Sequence, residues 1–229
     1  MTPPPLAVGS LLFDGIDQID LTGPFEVLAR LPGATHRLYA SGLDPVRDVN
    51  GLRLLPDATL AEAPALDILH IPGGAGQEAL MEDAAVLDWI RAQAAGARRV
   101  LSVCTGALLC GAAGLLAGRR ATTHWAAFDL LGLFGAIPVN ERVVADGHFI
   151  FAAGVTAGID GALVLAADLF GAEAAQLIQL QIAYAPDPPF TAGSPETAPP
   201  AVLARARAGY AAIAARRLAT ATRIAARGG

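Results

Sequence analysis

The residue with the most chemical potential in this sequence is Cys104, in the stretch RRVLSVCTGALLCGAAGLLAGRR, where residues 100–118 carry no charge. It stands between an apolar, strand-like run, RVLSV, and a helix-like run, GALLCGAAGLL, whose end is marked by Gly114. A thiol at such a bend meets unpaired backbone N–H groups and the positive end of a helix dipole, which favour the thiolate and lower its pKa. The same N–H groups can hold an oxyanion. Gly106, two residues on, permits a sharp turn and the close approach of a substrate. A small, buried and inert side chain is the other common fate of a free cysteine. Position alone leaves both readings open.

The remaining chemistry-bearing residues narrow the choice. Cys104 and Cys110 are too few for a four-cysteine zinc site, and six apart on one helix they point to different sides, beyond disulfide reach. The four histidines, His36, His70, His124 and His148, show no metal-ligand spacing. His36 and His148 fall in strand patterns as surface or edge residues, and His70 lies in the buried run before IPGG. His124, in TTHW, either lines a site or makes an orienting hydrogen bond. Gly73 and Gly74, in IPGGAG, either offer backbone N–H groups to a developing negative charge or simply turn the chain from strand to helix.

Composition removes several classes. The chain has 229 residues, 54% hydrophobic, enough for a sizeable core. All 16 basic residues are arginine, so a Schiff-base lysine and a lysine-bearing phosphate loop are both excluded. A net charge of -5 speaks against a nucleic-acid partner. The arginines from Arg205 to Arg227 fall on an Ala-rich helical pattern read as a solvated face or a subunit contact. Residues 100–118 nearly reach the length of a membrane span, but DILHIPGG and HFIFAAGVTAG are short apolar runs of the same kind, as expected of buried parallel strands. No membrane association is expected. The N-terminus, MTPPPLAVGSLLFDG, lacks the basic start and cleavage site of a signal peptide, which with two unpaired cysteines indicates the cytoplasm.

The elements that must position Cys104 alternate along the chain. LAVGSLLF reads as a buried strand, followed by a helix after Asp20, a strand at THRLYAS, a hairpin piece around Asn50-Gly51 and a buried strand at DILHIPGG. A helix at DAAVLDWIRAQAA precedes the cysteine bend. Beyond it come a helix near AAFDLLGLFG, strands around Asp146-Gly147 and a helix from Thr156 through IDGALVLAADLF. This order predicts an α/β fold, a doubly wound, mostly parallel sheet with helices on both faces. One domain, 1–229, is expected, with a Pro-rich loop at 185–200 and a helical tail at 200–227.

Three pieces, IDLTGPFEVL, IPGGAG and VCTGALLCGAAGLLAGRRATTHW, resemble the ThiJ/PfpI superfamily with its class I glutamine amidotransferase-like, flavodoxin-like fold. Within it the chain is most similar to the isonitrile hydratase group, which its own tail IQLQIAYAPDPPFTAGSP also resembles. The resemblance covers nearly the whole chain. It implies a cysteine nucleophile at the elbow, Cys104, with Thr105 as its hydroxyl-bearing neighbour, and, through the DLTGP match, Asp20 as the acid. Asp17 lies three residues earlier, outside the motif, and Glu26 reads as a solvated or capping acid. The resemblance further implies no metal and no organic cofactor, a homodimer, and addition of water to an isonitrile, giving an N-substituted formamide through a cysteine thioimidate. Protease-like and amidotransferase members have a histidine directly after the cysteine or near the C-terminus before an acid; here Thr105 follows Cys104 and no His-x-Glu lies downstream. An amide leaving group needs a proton donor such as imidazolium, so peptidase and glutaminase activities are set aside. A superfamily enzyme acting on reactive aldehydes, a redox stress protein, and the sensing domain of an AraC-type regulator are the alternative readings.

Overall fold

In the computed structural model the described residues are 5–227; residues 1–4 and 228–229, and with them the very start of the N-terminal segment and the ends of the expected domain, lie outside them. The chain opens with β1 (Leu6–Leu11), buried along almost its whole length, and reaches α1 (Gln18–Leu28) through a loop that Asp17 closes by accepting from the Ile19 N–H at 3.2 Å. The helix therefore starts before Asp20, not after it. Asp17 is the N-cap, so Asp20 sits in the first turn facing the sheet. β2 (Ala34–Ala40) follows, then the hairpin of β3 (Val46–Arg47) and β4 (Arg53–Leu54) around Asn50-Gly51, and the edge strand β5 (Ala58–Thr59).

The second half is built the same way. β6 (Ile68–Ile71) leads through Gly73 and Gly74 to α2 (Gln77–Leu80) and α3 (Ala84–Gly96), the latter capped by Asp83. β7 (Arg99–Val103) leads through Cys104 to α4 (Gly106–Ala112). Residues 100–118 are thus strand, bend and short helix, and among the described residues no helix is long and apolar enough to cross a membrane. Then come β8 (Arg120–Ala121), a 3-10 segment (Trp125–Phe134) where an α-helix was expected, β9 (Ile137–Pro138), and the antiparallel pair β10 (Val143–Asp146) and β11 (Phe149–Ala152). α5 (Ala157–Phe170) and α6 (Ala172–Gln181) precede the Pro-rich loop, and α7 (Pro200–Arg227) closes the chain.

Seven strands form one sheet in the order β10-β11-β7-β6-β1-β2-β5, parallel except for β10. Alternation sends Leu69, Ile71, Phe149 and Phe151 into a core on one face, and Ile68, Leu101, Val103 and Ile150 into a core on the other. Both faces are covered, as near-continuous apolar strands require. After β1 the chain moves out to β2, and it returns on the opposite side of β1 as β6. Their carboxyl ends splay around the crevice where such sheets bind ligands.

The C-terminal helix keeps the expected solvated face for Arg205, Arg207, Arg216, Arg223 and Arg227, and buries only Arg217 among its arginines. α7 packs along the 3-10 segment and α2 of its own chain, with Arg216 near Glu78, and Arg223 and Arg227 paired to Glu82 at 2.7 and 3.2 Å.

Truncating Phe151, which is 0% exposed, to Ala should lower stability to urea by about 3–5 kcal/mol. The same truncation of Leu180, 78% exposed, should leave the midpoint within about 0.5 kcal/mol of the parent's.

Candidate active site

Three loops at the carboxyl ends of β1, β6 and β7 converge, and they bring Asp20, Gly73, Gly74, Cys104 and Thr105 together. Cys104 holds φ 55, in the left-handed region that a side chain rarely adopts, and its N–H is tied to the Ala152 carbonyl at 2.9 Å. This is the geometry of a nucleophile elbow, where local backbone strain aims one side chain out of the sheet. The backbone N–H groups of Thr105 and Val155 face the sulfur and favour its ionised form.

Asp20 is 0% exposed. Its Oδ2 accepts from the Gly73 N–H at 3.0 Å, Oδ1 has no hydrogen-bond partner among the described residues, and the carboxyl lies beside the Cys104 thiol. Burial, then the neighbouring Asp17 charge, pushes the Asp20 carboxyl up to about 7. Burial and the Asp20 charge push the Cys104 thiol well above its ordinary value. The expected lowering of the thiol is therefore reversed: two backbone N–H groups at a short helix do not offset the loss of water and a carboxylate alongside. The two groups titrate as a pair, which near neutral pH exchanges between two protons and one.

Gly73 makes this proximity possible. A Cβ there would stand 2.6 Å from the Thr105 nitrogen and 2.9 Å from Asp20 Oδ2, inside any tolerable contact. Gly74, at φ +134, turns the chain under Asp17. Their amides are not free, however. The Gly73 N–H is held by Asp20, and the Gly74 N–H donates to Thr105 Oγ1 at 3.2 Å. In this structure both amides are bonded within the protein, and the N–H groups that face the sulfur are those of Thr105 and Val155. Gly106 packs so tightly under β6 that a Cβ would collide with the Ile71 carbonyl.

His124 does both things considered for it. Its Nδ1 accepts from the Ala126 N–H at 3.3 Å, and its ring forms part of the cavity wall, 5.3 Å from the rings of both Trp125 and Tyr210. Burial, helped by Arg217, lowers it to about 4, so it is neutral at pH 7 and supplies no imidazolium. His36 and His70 lie away from the cavity on either side of the Ser10 hydroxyl, at 2.6 and 2.8 Å, and burial keeps both neutral. His148 bonds the Ala94 carbonyl. Among the described residues no cluster of three or more His, Cys, Asp or Glu side chains could hold a metal ion.

The cavity over Cys104 has a volume of about 280 Å³ and is walled by Val49, Val155, Ile213 and Tyr210 besides the groups already named. A larger open hollow of about 790 Å³ beneath the Pro-rich loop contains no cysteine. Sequence reading missed two contributors. Val155 enters from the loop after β11. Arg217, read as part of a solvated arginine row, is only 5% exposed and reaches in from α7, its Nη2 donating to the Gly74 carbonyl at 2.7 Å and to Thr105 Oγ1 at 3.3 Å. Tyr210, Ile213, Ala214, Arg217, Thr220, Ala221 and Ile224 recur at helical spacing, and that stripe marks Arg217 as inward-facing.

Residues 7–167 match the model of the DJ-1/PfpI family. The chain belongs to the DJ-1/PfpI family. It is 56% identical over 202 residues to the isonitrile hydratase of Pseudomonas putida, covering 88% of this chain and 89% of that one. A crystal structure of a ThiJ/PfpI family protein from Pseudomonas syringae superposes with a TM-score of 0.93 at 40% identity, covering 96% of this chain and 92% of that one. The HTH-type transcriptional regulator GbdR of Pseudomonas aeruginosa is 30% identical over 188 residues, and there the DJ-1/PfpI chain spans only 51% of the regulator. The match to the family model ends at residue 167, before α7.

The raised Asp20 carboxyl has a measurable consequence for stability. Because the folded state holds this proton up to about pH 7 while the unfolded chain releases it near 3.8, the contribution to stability is present at low pH and lost as pH rises between those values. Asn at position 20 can still accept from the Gly73 N–H but cannot ionise. Thermal melts should therefore show Asp20→Asn gaining on the parent protein steadily from pH 4 to pH 7.5; a constant difference would show that the carboxyl is not raised.

Proposed function

We propose that this protein is an isonitrile hydratase, a hydro-lyase that adds water to an isonitrile R–N≡C and releases the N-substituted formamide. The observation that carries this reading is the buried Cys104–Asp20 pair, with Cys104 opening on one small cavity beside a neutral His124 and Asp20 directly behind it. The terminal carbon of an isonitrile takes up both a proton and a nucleophile, and a carboxyl–thiol pair holding a single proton can deliver both to one atom. The 56% identity to the Pseudomonas putida isonitrile hydratase supports the same conclusion.

The steps follow from the placement of the groups. With the shared proton on Asp20, the Cys104 thiolate attacks the terminal carbon as the carboxyl protonates it, forming the C–S and C–H bonds of a thioimidate, R–N=CH–S, and leaving Asp20 ionised. The carboxylate then takes a proton from water while the hydroxyl adds to the same carbon, and passes that proton to nitrogen. The C–S bond breaks, the hydroxyl proton returns to Asp20, and R–NH–CHO departs with the original protonation of the pair restored. Thr105 places the water, and the Thr105 and Val155 N–H groups hold the sulfur's negative charge at both ends of the cycle. An Asp20 carboxyl titrating near 7 suits a group that must donate and accept within one turnover.

No cofactor enters these steps. Both cysteines are free, and the mechanism needs the Cys104 thiol reduced, so we infer a reducing, cytoplasmic setting. A homodimer remains part of the reading on the strength of the resemblance alone.

Incubation with cyclohexyl isocyanide and, separately, with methylglyoxal, following loss of each reactant and formation of the formamide, tests the proposal. The isocyanide should be consumed and the dicarbonyl spared. Cys104→Ala should abolish formamide formation, and Asp20→Asn should slow it by about 100-fold or more. Thr105→Val should slow it by roughly 10- to 100-fold. Full turnover in Cys104→Ala, or preferential loss of methylglyoxal, would overturn the assignment.

A further inference from the structure

We propose that Arg217, carried on α7, is a positioning residue of the Cys104 site: its guanidinium fixes Thr105 as a hydrogen-bond donor toward the cavity and provides the positive charge beside which the sulfur becomes and leaves as a thiolate. The donor role and the charge rest on the geometry alone; their use in turnover rests on the hydration reading above.

The hydrogen bonds around Thr105 carry the first part. A hydroxyl has two lone pairs and one proton. Thr105 Oγ1 accepts from the Gly74 N–H at 3.2 Å and from Arg217 Nη2 at 3.3 Å, which occupies both lone pairs. Its proton goes to the Gly74 carbonyl at 3.4 Å, the longest of the three bonds, and that carbonyl also accepts from Arg217 at 2.7 Å. The proton is therefore the one function of the hydroxyl that a molecule in the cavity can redirect without breaking a shorter bond. Thr105 then donates to the attacking water or to the substrate nitrogen, and cannot act as an acceptor there.

The surroundings of Arg217 carry the second part. A buried cation is costly unless paired, yet among the described residues Arg217 has no carboxylate within ion-pair distance and Nε has no hydrogen-bond partner, while Glu78 faces its neighbour Arg216. The ionisable groups facing the sulfur are Asp20 and Asp17 from α1 and its cap, Tyr210 and Arg217 from α7, and His124, which is neutral. Among the described residues lining the cavity, Arg217 is the one cationic side chain. A charge retained there at this cost fits a site that creates and recreates an anion.

The test uses the full chain with Arg217→Met, Arg217→Lys, Thr105→Val and the double variant Arg217→Met/Thr105→Val, plus Arg223→Met as a helix control, since Arg223 pairs with Glu82 away from the cavity. Two readouts are followed: kcat and KM for formamide formation, and the rate of Cys104 alkylation by iodoacetamide as a function of pH. Loss of the cation should move the alkylation profile of Arg217→Met to higher pH and slow alkylation several-fold at pH 7. Arg217→Lys, which keeps the charge without the planar fork, should keep a near-parental profile but lose kcat. The double variant should be about as slow as the slower single variant, because both act through one hydroxyl. Arg223→Met should match the parent in both assays. Losses that multiply in the double variant, together with an unmoved alkylation profile in Arg217→Met, would overturn the proposal. If Arg217→Met does not fold, Arg217→Lys with parental kcat would do so as well. A parent that forms no formamide defeats the hydration reading, while the alkylation profiles still decide the effect of Arg217 on Cys104.

Discussion

A carboxyl and a thiol buried against one another, without enough water or positive charge to ionise both, is the constraint on which this site depends. Desolvation acts on each group in the same direction, and each ionised form opposes the other. The pair therefore keeps a proton at neutral pH that isolated groups would divide otherwise, with the carboxyl surrendering its share and the thiol retaining it. A proton held near a nucleophile, and exchangeable with it, is what addition across one carbon demands.

The fold maintains this arrangement from three directions. β1 and α1 bring Asp20 in from below, while Asp17 caps the helix through one oxygen and stands in the cavity wall. β6 contributes Gly73, whose lack of a side chain allows the carboxyl and the Thr105 backbone to meet across it. β7 ends in the left-handed Cys104, a conformation that costs on the order of 1–3 kcal/mol and is held by the Ala152 carbonyl and the packing of α4 beneath. These three strand ends neighbour one another only because the strand order reverses between β1 and β6. The position of the site is in that sense a property of the winding of the sheet.

Much of this was legible in the sequence, and the parts that were not share a physical origin. Apolar runs ending in Gly, such as ILHIPGG and RVLSVCTG, identify parallel strands, because both faces of the sheet are covered and polarity can return only at the turns. VCTG placed Cys104 on such a turn, whereas DLTGP singled out Asp20 but not its place, which is the first turn of α1 rather than the turn before it. The direction of the thiol shift was not legible, since a helix N-terminus and a burying wall pull in opposite senses and only the packed structure determines which dominates. The amides of Gly73 and Gly74 were visible as turn groups, but their occupation by Asp20 and Thr105 is a tertiary fact. Arg217 was hidden by composition: in a helix holding six of the chain's arginines, a solvated face is the natural reading until the stripe from Tyr210 to Ile224 is traced.

That stripe changes how the division of labour within the molecule is understood. The Cys104–Asp20 pair and its turns lie within residues 7–167, the part matched by the DJ-1/PfpI family model, whereas Tyr210, Ile213 and Arg217 close the cavity from beyond it. An open site would let water reach the carboxyl and allow it to ionise at an ordinary pH. A site closed by apolar groups alone would raise the carboxyl and the thiol together and leave no stable place for a thiolate. α7 supplies two apolar or aromatic walls and one guanidinium, so it excludes water while limiting the electrostatic cost of doing so. The chemistry of the elbow is in this way conditioned by a helix remote in sequence, and the tuning of the Cys104–Asp20 pair is a joint product of the sheet that positions it and the helix that covers it.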